Sequence, residues 1–243
     1  MLTVFAIGYA TTFIIICLCY EGRRWPEGDD MSIVGPKNDL VLFLNHVQYR
    51  HQNDHREFLI FTDFDIDFKD HTGSTGMIRR IPATRDDITS RIKDTMGDLE
   101  RGDKCVLYYS GHIEPQQTDQ ASAHMLLPDN GRIYNHEVRE WLSLSRFSTA
   151  TIIAIFDACY SGEFLALPCI HERDGAQPMS SETSSAAQMI EISSTTRDQL
   201  SFSEKYRENE EEYFTTHGIL TWNLFQYLKA NPRPNMNGVK YQF

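Results

Sequence analysis

The sequence predicts an α/β fold in three layers, with a mostly parallel central sheet between two layers of helices. Short apolar runs rich in β-branched and aromatic residues alternate along the chain with longer stretches of helical period. The segments between successive runs are long enough to cross over, as parallel strands require. With 243 residues, 41% of them hydrophobic and 23% charged, the chain can bury one substantial core.

The first strand is read at Phe13-Ile14-Ile15-Ile16-Cys17-Leu18-Cys19-Tyr20, an unbroken apolar run suited to a strand covered on both faces. Leu2 to Tyr20 is uncharged and long enough that a membrane anchor through residues 2–20 is the competing reading, with Arg23-Arg24 on the cytosolic side. A signal peptide fits poorly, because no Lys or Arg precedes the run and no small-x-small site precedes Glu21. The strand is preferred because a parallel sheet needs one here and nothing else before residue 55 supplies it. The domain is then expected over 12–231, with an extension at 1–11 and a tail at 232–243.

Glu21 to Ser32 reads as a loop and Gly35-Pro36-Lys37-Asn38 as a turn into a helix from Asp39 to Gln52. Phe58 to Thr62 is the second strand, and Asp63 to Arg80, without a hydrophobic period, is a loop. Pro82-Ala83-Thr84 opens a helix in which Thr84 is the N-cap and Ile88, Ile92, Met96 and Leu99 form one stripe. Strands follow at Val106 to Tyr109 and Ile152 to Phe156, separated by a helix from Asn135 to about Ser145. A fifth strand is expected at Gln188 to Ile192 and a last helix from Gly218 through Leu228. Between the last two strands, 163–187 is read as a flexible loop ending in a Ser-rich run.

Composition narrows the function. The net charge of −11 and the absence of any basic cluster larger than a pair exclude a nucleic-acid footprint. Five cysteines with no C-x-x-C pair suit a reducing compartment, so the cytoplasm is expected. Cys17 and Cys19 share a strand face and read as core. His46, His51 and His55 lack an acidic or thiol partner at metal-site spacing, so no metal is expected. The acidic run Glu208 to Glu212 reads as a solvated loop, and His217 as a polar residue at a helix start.

Two segments carry chemistry. Tyr108-Tyr109-Ser110-Gly111-His112 and Phe156-Asp157-Ala158-Cys159-Tyr160-Ser161-Gly162 each place a reactive side chain in a turn just past a strand. If those strands are parallel neighbours, His112 and Cys159 emerge together in the crevice beyond the carboxyl ends of the sheet. A thiol attacks an acyl carbon as its thiolate, and an imidazole within reach takes up the proton and later gives it to the leaving amine. Alone, a cysteine is more often a small core residue. The matched strand-end settings of both residues point to the dyad instead.

These residues resemble the caspase-like cysteine peptidases, and within them the metacaspases, with a fungal member expected. The similarity lies in Y-S-G-H and D-x-C-x-S-G, at a spacing of about fifty residues from histidine to cysteine. Supporting matches are Ile15 to Tyr20, Gly35-x-x-Asn38-Asp39, Pro82-Ala83-Thr84, Ile192-Ser193-Ser194 and Gly218-Ile219-Leu220-Thr221. The resemblance implies a caspase-like αβα sandwich and a cysteine-type endopeptidase acting on proteins or peptides, with Cys159 as nucleophile and His112 as general acid and base. It further implies an oxyanion hole from the backbone N–H groups of Cys159 and Ile113, and an acidic pocket of Asp39, Ser110 and Asp157 that takes Arg or Lys. No cofactor is expected. Calcium dependence is a property of the family, but Glu114 and Asp119 are the only acidic residues from 114 to 128, which does not support it here. The resemblance also implies a link to programmed cell death and a zymogen, with Arg173 as the expected processing site. Ile113 stands where the family usually has glycine, and Tyr160 where His or Arg is common. Ile113 motivates the alternative, a catalytically inactive caspase-like module that binds or regulates other proteins.

Overall fold

The computed structural model describes residues 10–50, 56–65, 77–115, 122–145, 149–167, 188–207 and 214–231. Six strands form one parallel sheet: β1 (Thr11–Cys17), β2 (Arg56–Thr62), β3 (Met77–Pro82), β4 (Lys104–Ser110), β8 (Thr151–Asp157) and β9 (Gln188–Ser193), in the spatial order β3-β2-β1-β4-β8-β9. Every neighbouring pair is parallel. A three-stranded sheet of β5 (Ile113–Glu114), β6 (His124–Leu126) and β7 (Arg132–Tyr134) and a hairpin of β10 (Ser203–Arg207) and β11 (Phe214–Gly218) lie apart from it.

The isoleucine run explains the centre of the sheet. In β1, Ile14 and Ile16 point to one face while Phe13, Ile15 and Cys17 point to the other, and Cys19 beyond the strand shares that second side. One face is covered by α2 (Arg85–Asp98) through Ile88, Ile92 and Met96, and by α3 (Asn135–Leu142) through Val138, Trp141 and Leu142. The other is covered by α1 (Gly35–Arg50) through Leu40, Phe43 and Leu44, and by α4 (Ile219–Ala230) through Leu220, Leu224 and Phe225. Full burial of a Val, Leu, Ile, Phe or Met side chain of this kind stabilises the fold by about 1.5–3 kcal/mol. Residues 11–17 are thus the middle of a sheet, and no helix among the described residues is long and apolar enough to cross a membrane.

Local signals placed the central strands and the helices, and the structure corrects several of the segments between them. Thr84 caps α2, accepting the Asp87 N–H at 3.2 Å, as its sequence predicts. Gly35 and Pro36, read as a turn, are the first turn of α1, where proline's missing N–H costs no intrahelical bond. The stretch read as a loop up to Arg80 contains β3, an edge strand whose Arg79-Arg80 pair breaks any apolar run. The segment after His112 carries β5 and β6, each too short to show alternation.

Candidate active site

The register between β4 and β8 builds the site. Ser110 lies opposite Asp157 across the parallel pair, and His112 and Cys159 each follow two residues later. Two equal offsets from one matched pair on adjacent strands bring both turns to the same edge of the sheet, where neighbouring strands are about 4.8 Å apart.

His112 is held from three sides by the segment that follows β1. Its Nε2 lies 2.8 Å from the Met31 carbonyl oxygen, its ring centroid is 4.6 Å from that of Tyr20 and 5.1 Å from that of Trp25, and its N–H donates to the Tyr20 hydroxyl at 3.0 Å. A carbonyl only accepts, so Nε2 carries a proton and Nδ1 is the basic nitrogen of the neutral ring. Burial pushes the imidazole below its usual value, partly offset by the Met31 carbonyl. Tyr20 itself has φ 56°, and Asp63 takes both its amide, at 2.7 Å, and that of Cys19, at 2.8 Å. This Asp63–Tyr20–His112 chain carries no sequence signal, because its members are brought together only by the sheet.

Cys159 is half-buried in a tightly pinned turn. The N–H groups of Ala158, Tyr160 and Ser161 donate to Ser194 Oγ, the Gln199 carbonyl and Thr195 Oγ1 at 3.1, 2.8 and 3.0 Å. The Ser201 N–H reaches Cys159 Sγ at 3.3 Å, and Sγ lies 3.6 Å from the Ser201 carbonyl oxygen. Gly162 packs where a Cβ would fall 2.5 Å from the Thr195 carbonyl oxygen, which accounts for glycine in this turn.

Ile113 is in β5, and its side chain belongs to the core. Positive φ among the described non-glycine residues is confined to Tyr20, Asn130, Tyr160, Glu163 and Ala166, so Ile113 bears none of the strain expected of a β-branched residue in that region. Ile113 faces Met125 while the Leu126 N–H donates to the His112 carbonyl at 3.0 Å. That pattern makes Ile113–Met125 a non-hydrogen-bonded pair and turns the Ile113 N–H away from β6.

Asp39, Ser110 and Asp157 are brought together and buried. Ser110 Oγ donates to Asp39 Oδ2 at 3.3 Å. Asp157 accepts the Thr221 N–H and hydroxyl at 2.9 and 2.6 Å and the Ser201 hydroxyl at 3.3 Å. Burial pushes the Asp39 carboxyl up to about 7, and the nearby Asp157 adds to this, while hydrogen bonds from His217 and Gly218 pull it down. Asp157 is raised by burial, against the bonds from Thr221 and Ser201.

His217 corrects its sequence reading as a helix-start polar residue. It is wholly buried, with Nδ1 3.0 Å from Asp39 Oδ1 and Nε2 2.9 Å from Thr215 Oγ1. Its aromatic neighbours, Trp222 at 5.1 Å and Tyr206 at 6.4 Å between ring centroids, belong to the last helix and hairpin, and His217 itself lies 178 positions from Asp39. His46 packs on Phe225 at 5.0 Å, while His51, His55, Asp119, Arg173 and the run 208–212 lie outside the described residues.

A family model described as metacaspase, peptidase C14 domain, matches residues 15–168, a span that includes Asp39, Ser110, His112, Asp157 and Cys159. Among solved structures, the crystal structure of a structural-genomics target protein from Geobacter sulfurreducens is similar in fold, with a TM-score of 0.58 at 15% identity over 95% of this chain and 88% of that one. No curated protein sequence matches the chain.

Proposed function

Because the chain belongs to the metacaspases, a peptidase C14 family of cysteine-type hydrolases that act on proteins or peptides, we propose that it is an endopeptidase with a Cys159–His112 dyad that cleaves after Arg or Lys. The observation that carries this is the matched offset of His112 and Cys159 from the Ser110–Asp157 pair. In the first step the Cys159 thiolate attacks the scissile carbonyl carbon, and the proton held by His112 passes to the leaving amine as the C–N bond breaks. Water then hydrolyses the thioester, giving its proton to His112 and releasing the acid. The N–H of Cys159 and the outward-turned N–H of Ile113 would receive the oxyanion. Two buried carboxylates beside the nucleophile favour a cationic side chain, and Arg more than Lys because its planar fork can engage both.

Ile113 supports catalysis rather than an inactive module, since its strand geometry keeps the N–H outward and the side chain out of the substrate's approach. Purified protein and its Cys159→Ala variant, offered fluorogenic peptides ending in Arg, Lys or Asp with and without calcium, test the proposal. Cleavage after Arg or Lys should vanish in the variant, and His112→Ala should lower kcat by roughly 10²- to 10⁴-fold. No cleavage by intact or pre-cleaved protein would overturn it. Self-processing at Arg173 belongs to the same proposal, and intact mass after incubation would register it only when Cys159 is present.

A further inference from the structure

We infer that His217 is a specificity-determining residue, an internal counter-cation of the Asp39–Asp157 pocket that competes with the substrate's basic side chain. The inference rests on the Arg/Lys reading of that pocket and adds what sets its strength. His217 and Gly218 sit between the two carboxylates: His217 Nδ1 is 3.0 Å from Asp39 Oδ1, the Gly218 N–H reaches both Asp39 oxygens at 3.2 and 3.3 Å, and a Cβ on Gly218 would fall 2.2 Å from Asp157 Oδ2. The imidazole therefore occupies one carboxylate from inside the protein, while the donors to Asp157 among the described residues, Thr221, Ser201 and Ser194, are neutral.

Charge counting makes the consequence independent of where the proton resides. With one proton between them, Asp39 and His217 sum to zero, whether as carboxylate and imidazolium or as acid and imidazole. Losing that proton leaves −1. The pair titrates as a unit, and burial of Asp39 places its ionisation near neutrality. Among the described residues, titratable groups around it include Asp157 on β8, Tyr108 on β4, Cys17 on β1, Tyr206 on β10 and Glu204, which faces His217 across the hairpin. Burial raises Tyr108 and Cys17 well above their usual values, and Tyr206 is also raised, so none of these three ionises in the same range. Glu204 is exposed and screened by solvent. The Asp39–His217 pair thus gains one negative charge beside Asp157 as its shared proton is lost with rising pH, and a guanidinium that binds there favours that loss.

The test uses agmatine, a small guanidinium, with the Cys159→Ala variant, and Arg-ending peptides with the active protein. Calorimetry of agmatine at pH 6.5 in two buffers of different ionisation enthalpy should show proton release approaching one per agmatine bound, and KM for the Arg peptide should fall about tenfold from pH 5.5 to 8.5. In His217→Asn, Asp39 loses the hydrogen bond and the charge that pull its carboxyl down, so the fall in KM should move to higher pH. Hydrolysis after Arg with no proton release, or an unchanged KM profile in His217→Asn, overturns the role of His217 alone. If the variant does not fold, proton release by Cys159→Ala decides. If neither agmatine binding nor Cys159-dependent hydrolysis occurs at any pH, the pocket reading and this inference fall together.

Discussion

Tyr20 does for His112 what the motif itself does not: its hydroxyl accepts the His112 N–H at 3.0 Å and donates to the Leu126 carbonyl at 2.7 Å. Tyr20→Phe removes both bonds in a buried site, so urea denaturation should show a loss of about 1–3 kcal/mol. Because the ring remains, the accompanying loss of activity should fall on kcat with KM nearly constant. Asp39 carries a second residue-scale prediction. Its folded pKa is raised, so the folded state holds the proton more tightly than the unfolded chain does. The resulting stability is fully present below the unfolded carboxyl's value near 4 and is lost as pH rises through about 7. Urea midpoints from pH 4 to 8 should therefore fall more steeply in the wild type than in Asp39→Asn, and equal slopes would count against a shifted Asp39. At this scale Cys159 and His112 were legible because each stands in a Ser-Gly turn after a strand. His217 and Tyr20 were not, because their significance comes from partners 178 and 92 positions away.

Elements explain why two positions tolerate so little. The turn after β8 runs so close to the segment after β9 that Gly162→Ala would press a methyl group into the backbone of Thr195 and Thr196, at 2.5 and 2.6 Å. Backbone on both sides leaves little room to relax, so a loss of roughly 1–3 kcal/mol is expected, with a matching drop in Tm. Ile113 makes the opposite point. Glycine is the usual family residue there, yet Ile113→Gly in this chain removes a core side chain from β5 and should cost about 3–5 kcal/mol in urea unfolding without raising kcat. The central strands were readable because burial on both faces writes an unbroken apolar run. β3, β5, β6, β7, β10 and β11 were missed for the converse reason. They are short or half-polar, and pairing across the sheet or hairpin holds them where local propensity does not.

Across the whole molecule, stability should follow position in the sheet. β1 lies between β2 and β4 with Ile15 fully buried under α1 and α4, whereas β9 ends the described sheet and its residues are exposed or half-buried throughout. Ile15→Ala should cost about 2–5 kcal/mol, because the cavity is walled by strands on two sides and helices above. Ile192→Ala, half-buried on β9, leaves a space that solvent and neighbours can fill, and about 1 kcal/mol is expected. The functional turns hang from this same gradient: His112 and Cys159 follow β4 and β8, inside the sheet, while Ser201 and His217 reach the site from the separate hairpin region beyond β9. Mild denaturant should then loosen the hairpin before the dyad. Hydrogen exchange would register it as early loss of protection at Thr216 and His217 while Tyr108 and Ile155 stay protected, and simultaneous loss at all four would mean that the pocket and the dyad unfold as one unit.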